Sequence, residues 1–220
     1  MFIYYSRRPI CAPSANTSKR PSPTIAKHVE DDMNGKIPLI IDGGATNIGI
    51  ESTVVRIDGD YVYILRPGKI SKKNIEEKTN LIAVEKMDTS KIPQSPGTKY
   101  THYKPNCDMI IVKTDVEENI NKLYNNAISN DKKAVIFCKT ESFEKYKDKN
   151  TIILGKDSEE ASANLFTYLR DNETNDLIIM EYFDNGEMVE ALFNRAIKSA
   201  SGNIIWQLKF YMITFITIKE

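Results

Sequence analysis

The chain has 220 residues, 41% hydrophobic and 27% charged, which excludes a wholly disordered polymer and suits an ordinary soluble globular fold. Thirty Lys and Arg balance thirty Asp and Glu, so no global field gathers nucleic acid or anionic lipid. Three scattered cysteines (Cys11, Cys107, Cys138) lack CxxC spacing and there are only two histidines (His28, His102), against a disulfide framework or a zinc site.

A reducing cytosol fits that cysteine usage, and the expected location is cytoplasmic. No secretory signal is legible, because Arg7 and Arg8 follow the opening apolar residues at once. The apolar stretch from Trp206 to Ile218 is shorter than the ~20 residues of a bilayer span, so no membrane partner is expected.

Residues 1–85 are rich in Pro, Gly and Ser, with short apolar runs between turns. Ser22 suits an N-cap and Pro23 a first helical position, and Ile25, Val29 and Met33 then mark one buried stripe ending at Gly35. Ile37 to Ile41 reads as a buried strand entering the Asp42-Gly43-Gly44 turn. Ser52 to Ile57 and Tyr61 to Leu65 flank Asp58-Gly59, a hairpin signal. A short helix from Ser71 and a strand from Leu81 to Val84 close this region.

Residues 86–106 carry four prolines and glycines with little apolar periodicity, and read as a linker holding Tyr100, His102 and Tyr103. From Cys107 strands alternate with helices. Met109 to Val112, Ala134 to Cys138, Thr151 to Leu154 and Leu177 to Met180 are the strands. Thr114 to Glu117 forms a capping-box pattern opening a helix through Ile128. Asp157 caps a second helix with Ala161, Leu165 and Leu169 on one face, and Met188 to Ala200 is a third. This alternation predicts a three-layer α/β unit around a parallel sheet.

Four groups could carry chemistry, and each also has an ordinary structural reading. Small hydroxyl residues from Ser14 to Ser18, ahead of the helix signal at Ser22, make a basic anion-binding loop or merely a capped turn. Gly49-Ile-Glu-Ser-Thr53 lets backbone approach a ligand, or simply leads into the hairpin. Arg66, before a Pro-Gly turn, can grip a phosphate or sit in solvent. Ser95 to Tyr103 crowds lysine, histidine and tyrosines into a binding segment or a rigid spacer. Neither a P-loop nor a Rossmann glycine pattern is present.

In order, Pro9-Ile-Cys-Ala-Pro-Ser-Ala-Asn16, Pro21-Ser-Pro-Thr24, Asp42-Gly-Gly44, Gly49-Ile-Glu-Ser-Thr53, Leu65-Arg-Pro-Gly68 and Ser95-Pro-Gly97 with Lys99-Tyr-Thr-His-Tyr103 resemble the threonylcarbamoyl-AMP synthase family, over residues 3 to 203. The resemblance implies an α/β fold. Residues 1–85 would be the C-terminal half of a YrdC-like twisted catalytic domain and 86–106 a linker. Residues 107–205 would be a smaller Rossmann-like three-layer domain with a parallel sheet, followed by an atypical tail at 206–220.

The implied activity is that of a nucleotidyltransferase. L-Threonine, bicarbonate and ATP give L-threonylcarbamoyladenylate and pyrophosphate, and other proteins use the product to modify tRNA. By resemblance Ser14, Asn16, Ser22, Arg66, Tyr100 and Tyr103 face ATP, while Ala12 and Ser52 hold threonine. Mg²⁺ is expected on the phosphates with no dedicated metal ligands.

In this family the catalytic domain normally begins roughly a hundred residues further upstream, within the usual domain size. The expectation is therefore an N-terminally truncated chain with an unpaired sheet edge and impaired synthase activity. Lys19 stands where the family usually has glycine. The alternatives are a non-catalytic RNA-binding or regulatory module, or an inactive remnant. The small basic loop at Lys19 and Arg20 is all that speaks for RNA contact.

Overall fold

The computed structural model describes residues 2–8, 11, 13–84 and 103–206. It contains a mixed three-stranded sheet followed by a parallel five-stranded sheet flanked by helices. Ala12, Tyr100, His102, most of the linker and the tail beyond Trp206 lie outside the described residues.

A short helix α1 (Phe2–Ser6) opens the chain. The next helix, α2 (Ala26–Met33), corrects the expected start at Ser22: Ile25 precedes it in extended conformation and supplies no side-chain cap. Ser22 is drawn away because its hydroxyl donates to Glu51 instead. The buried positions of α2 are His28 and Asp32, whereas Ile25, Val29 and Met33 are half-buried. A charged neighbour explains the shift, since Arg170 and Asp171 of a later helix pack there.

Ile37 to Ile41 forms no strand, and Ile37, Leu39 and Ile41 are exposed. Among the described residues no strand lies alongside to complete a ladder, so apolarity alone does not produce one. The hairpin does form. β1 (Val54–Asp58) pairs antiparallel with β2 (Tyr61–Arg66), and Asp58 sits opposite Tyr61. Gly59 takes φ +56°, as the tight turn requires.

Helix α3 (Lys72–Lys78) begins with a reciprocal cap. Ser71 Oγ accepts from the Asn74 N–H, and the Asn74 side chain accepts from the Ser71 N–H. β3 (Ile82–Val84) then lies parallel to β2.

The second sheet comprises β4 (Asp108–Val112), β5 (Ala134–Lys139), β6 (Thr151–Gly155), β7 (Leu177–Glu181) and β8 (Ile204–Ile205), in the order β6-β5-β7-β4-β8. All its pairings are parallel. Only the last strand was unforeseen, being two residues long. Alternation along each strand supplies two cores. Met109, Ile111, Val135, Phe137, Ile178 and Met180 face α5 (Ser158–Asp171) and α6 (Val189–Ser199). Val112, Ile136, Cys138 and Ile179 face α4 (Val116–Ser129) through Ile120, and Tyr146 joins them. Each fully buried large apolar side chain here contributes roughly 1.5–3 kcal/mol, so this sheet dominates stability.

Asp157 caps α5 as expected, accepting from the Glu160 N–H, and Ala161, Leu165 and Leu169 are completely buried. The capping box expected at Thr114 does not form. Asp115 at φ +43° is the N-cap without a side-chain bond, and Glu117 pairs with Lys145. The Thr114 hydroxyl is buried there without a hydrogen-bond partner among the described residues.

The segment ahead of β1 reaches the core of the second sheet through Ile48 and Ile50, which with Tyr103 pack against α5 and α6. Gly49 between them has φ +74°, and a Cβ there would stand 2.3 Å from the Ala163 carbonyl oxygen. Glycine is needed for this contact. Among the described residues no helix is long and apolar enough to cross a membrane.

Candidate functional site

Where the sheets meet, a buried charge cluster forms around Glu51. Ser22 Oγ donates to Glu51 Oε1 at 2.8 Å. Arg195 of α6, its side chain fully buried, donates from Nε to Glu51 Oε2 at 3.0 Å and from Nη2 to the Glu51 carbonyl at 3.2 Å. Its Nη1 donates to the Pro67 carbonyl. Burial alone would raise the Glu51 pKa, but the Arg195 charge and the Ser22 hydroxyl overcome it and hold the carboxyl below its usual range.

Tyr103 sits beside this cluster at φ +66°, its ring packed on Phe166 with centroids 5.1 Å apart. Burial, reinforced by the Glu51 charge, pushes its hydroxyl up to about 12, so it stays protonated. Arg66 lies close enough for its charge to act on both Tyr103 and Arg195. Its guanidinium forks onto the Ser52 carbonyl, with Nε at 3.1 Å and Nη2 at 3.0 Å. Lys198 adds a further cation, its pKa lowered first by burial and then by Arg195.

The loop before α2 is organised by Asp32. That carboxylate accepts from the Thr17 N–H at 2.9 Å, Arg20 Nη1 at 2.7 Å and Arg170 Nη2 at 2.8 Å. Arg170 also grips the Pro21 carbonyl with Nε and Nη2, at 3.0 and 2.6 Å. Asn16 Nδ2 donates to the Thr17 and Arg20 carbonyls, bracing the loop from inside. Lys19 takes φ +77°, which accounts physically for the glycine expected there.

The structure thus brings Ser22, Arg66 and Tyr103 about Glu51, whereas Ser52 is exposed and takes part through its carbonyl alone. Ser14 is exposed in the loop, and no described hydrogen bond or cavity joins it to them. Ala12 and Tyr100 fall outside the described residues. Sequence reasoning missed Glu51, Arg170 and Arg195 as organising residues. A signal existed for Arg195, which interrupts the buried row Ala191, Leu192, Ala196 on α6. An arginine inside an apolar stripe needs buried acceptors. Among the described residues no three His, Cys, Asp or Glu come together to hold a metal ion.

Residues 70–201 match the family model described as threonylcarbamoyl-AMP synthase, C-terminal domain, and residues 2–68 match one described as telomere recombination. The chain belongs to the threonylcarbamoyl-AMP synthase family.

Two curated relatives named threonylcarbamoyl-AMP synthase show how far this extends. That of Schizosaccharomyces pombe is 38% identical over 219 residues, covering 90% of this chain and 54% of the relative. That of Bacillus subtilis is 38% identical over 209 residues, covering 92% and 60%. The crystal structure of Pyrococcus abyssi Sua5 complexed with L-threonine superposes with a TM-score of 0.78 at 35% identity, over 92% of this chain and 61% of that one. The chain therefore spans between half and two thirds of the length of these members of the threonylcarbamoyl-AMP synthase family.

Proposed function

We propose that this chain takes part in making L-threonylcarbamoyladenylate and pyrophosphate from L-threonine, bicarbonate and ATP, for tRNA threonylcarbamoyladenosine modification in the cytoplasm. The observation that supports this reading is the grouping of Ser22, Arg66 and Tyr103 around Glu51, with Arg66 held on the carbonyl of the neighbouring Ser52. The L-threonine complex of the similar Pyrococcus abyssi protein supports the same reading.

Adenylation requires a triphosphate held for in-line attack by a carboxylate oxygen on the α-phosphorus, with charge on departing pyrophosphate neutralised. In this reading Ser22 and Arg66 hold the nucleotide, together with Ser14, Asn16, Tyr100 and Tyr103. Ala12 and Ser52 hold threonine or its N-carboxy form. Tyr103, packed on Phe166, covers the site and keeps water from a labile carbamate. Mg²⁺ on the phosphates belongs to the same reading, because adenylation chemistry calls for it.

The division into a catalytic part at 1–85, a linker at 86–106, an α/β domain at 107–205 and a tail at 206–220 belongs to the same proposal. Downstream tRNA-modifying proteins consume the product. The balanced net charge gives no reason to prefer a direct tRNA-binding module.

Calorimetric titration with ATP in the presence of L-threonine tests the reading. ATP should bind, threonine should strengthen it, and Arg66→Ala should weaken it by about tenfold or more, as for loss of a charge-assisted contact. A chain that binds no ATP, or an Arg66→Ala variant that binds it equally well, overturns the assignment.

A further inference from the structure

We infer that Arg195 is a positioning residue for the nucleotide pocket: it cancels the Glu51 charge so that an anionic triphosphate can approach Ser22, and it ties down the two segments carrying Ser52 and Arg66. This rests on the nucleotide reading proposed above.

Ser22 has one hydroxyl proton, and it is directed at the Glu51 carboxylate. A phosphate drawn to Ser22 therefore arrives beside an existing negative charge. Two anions sharing one site repel unless a cation is already in place. Arg195 is that cation, with its side chain 0% exposed and that of Glu51 17%.

Its geometry does more than neutralise. Nε and Nη2 take the Glu51 carboxylate and backbone carbonyl, while Nη1 takes the carbonyl of Pro67. Ser52 directly follows Glu51, and Arg66 directly precedes Pro67. One planar fork on α6 thus fixes the neighbours of both residues at once, from 144 and 128 residues away. A lysine can replace the charge but not the fork.

Calorimetric ATP titration with L-threonine present separates these roles. Glu51→Gln removes the negative charge and leaves Arg195 in place, so ATP should bind more tightly than to the unaltered chain. Arg195→Met removes the guanidinium hydrogen-bonded to the carboxylate and leaves Lys198 as the cation whose charge still acts on Glu51, so ATP should bind about tenfold more weakly, the deficit shrinking as salt is added. The double variant Glu51→Gln, Arg195→Met should recover most of that loss, and it is the tighter ATP binding of Glu51→Gln, with the salt dependence of Arg195→Met, that a merely structural ion pair would not give. Arg195→Lys should recover only part.

Equal ATP affinity in Arg195→Met overturns the inference, as does a double variant no better than Arg195→Met. If Arg195→Met does not fold, Glu51→Gln decides: unchanged or weaker ATP binding overturns the inference. These failures differ from failure of the nucleotide reading, in which the unaltered chain binds no ATP.

Discussion

Arg170 and Asp32, 138 residues apart, form a two-pronged ion pair, Nη2 to Oδ2 at 2.8 Å and Nη1 to Oδ1 at 3.3 Å. Their side chains are 3% and 0% exposed. The pair ties α5 to α2, and through Pro21 and Thr17 it sets the loop leading to Ser22. Burial alone would raise the Asp32 pKa, but the Arg170 contact, the Thr17 N–H and the Arg20 charge hold it below the usual range.

Arg170→Met should therefore be costly. It leaves a buried carboxylate with only Arg20 and the Thr17 N–H and the Pro21 carbonyl without its guanidinium, a loss of about 3 kcal/mol in urea unfolding. Arg170→Lys should recover little, because an ammonium cannot span two carboxylate oxygens and a carbonyl. An unchanged unfolding midpoint in Arg170→Met would show that the pair does not hold α2 to α5.

His28 makes the same junction sensitive to mild acid. It is 3% exposed, and its Nδ1 accepts from the Thr24 N–H at 3.3 Å. Burial first, and the Arg170 charge second, lower its pKa below 6.5, against the opposing pull of Asp171. The unfolded chain thus binds a proton near 6.5 that the folded chain refuses. Its contribution is complete above that value and is lost as pH falls toward the lower folded pKa. The thermal midpoint should drop between about pH 7.5 and 5.5, and His28→Asn, which keeps an acceptor for Thr24, should flatten that drop.

Gly49→Ala tests the seam between the sheets. The new methyl would stand 2.3 Å from the Ala163 carbonyl and 2.4 Å from that of Ser162, at a φ of +74°. Left-handed backbone alone costs roughly 1–2 kcal/mol for an L-residue, and displacement of Ile48 and Ile50 adds to it. Limited proteolysis should cut faster around residues 44–53. Gly43→Ala, with nothing within 4 Å, should behave as the unaltered chain. Equal cleavage of both variants would count against a tight seam.

Much of the fold was legible because its causes are local. Ala134 to Cys138 and Leu177 to Met180 are continuous apolar runs, and they became central strands buried on both faces. Asp157 and Ser71 cap helices because a side chain need only reach its own third residue. The hairpin at Asp58-Gly59 followed from turn chemistry. Where the reading failed, a distant partner had changed the local outcome. Ser22 left its expected cap for Glu51, and α2 turned His28 and Asp32 inward toward α5.

The amino-acid order by itself determined the alternation of strands and helices, the turns, and the family to which the chain belongs, since these depend on neighbours along the backbone. Only the folded molecule decided that Arg195 meets Glu51 and Arg170 meets Asp32. Those contacts exist because sheet packing removes water from both partners, and a buried charge must then find its complement wherever the fold places one.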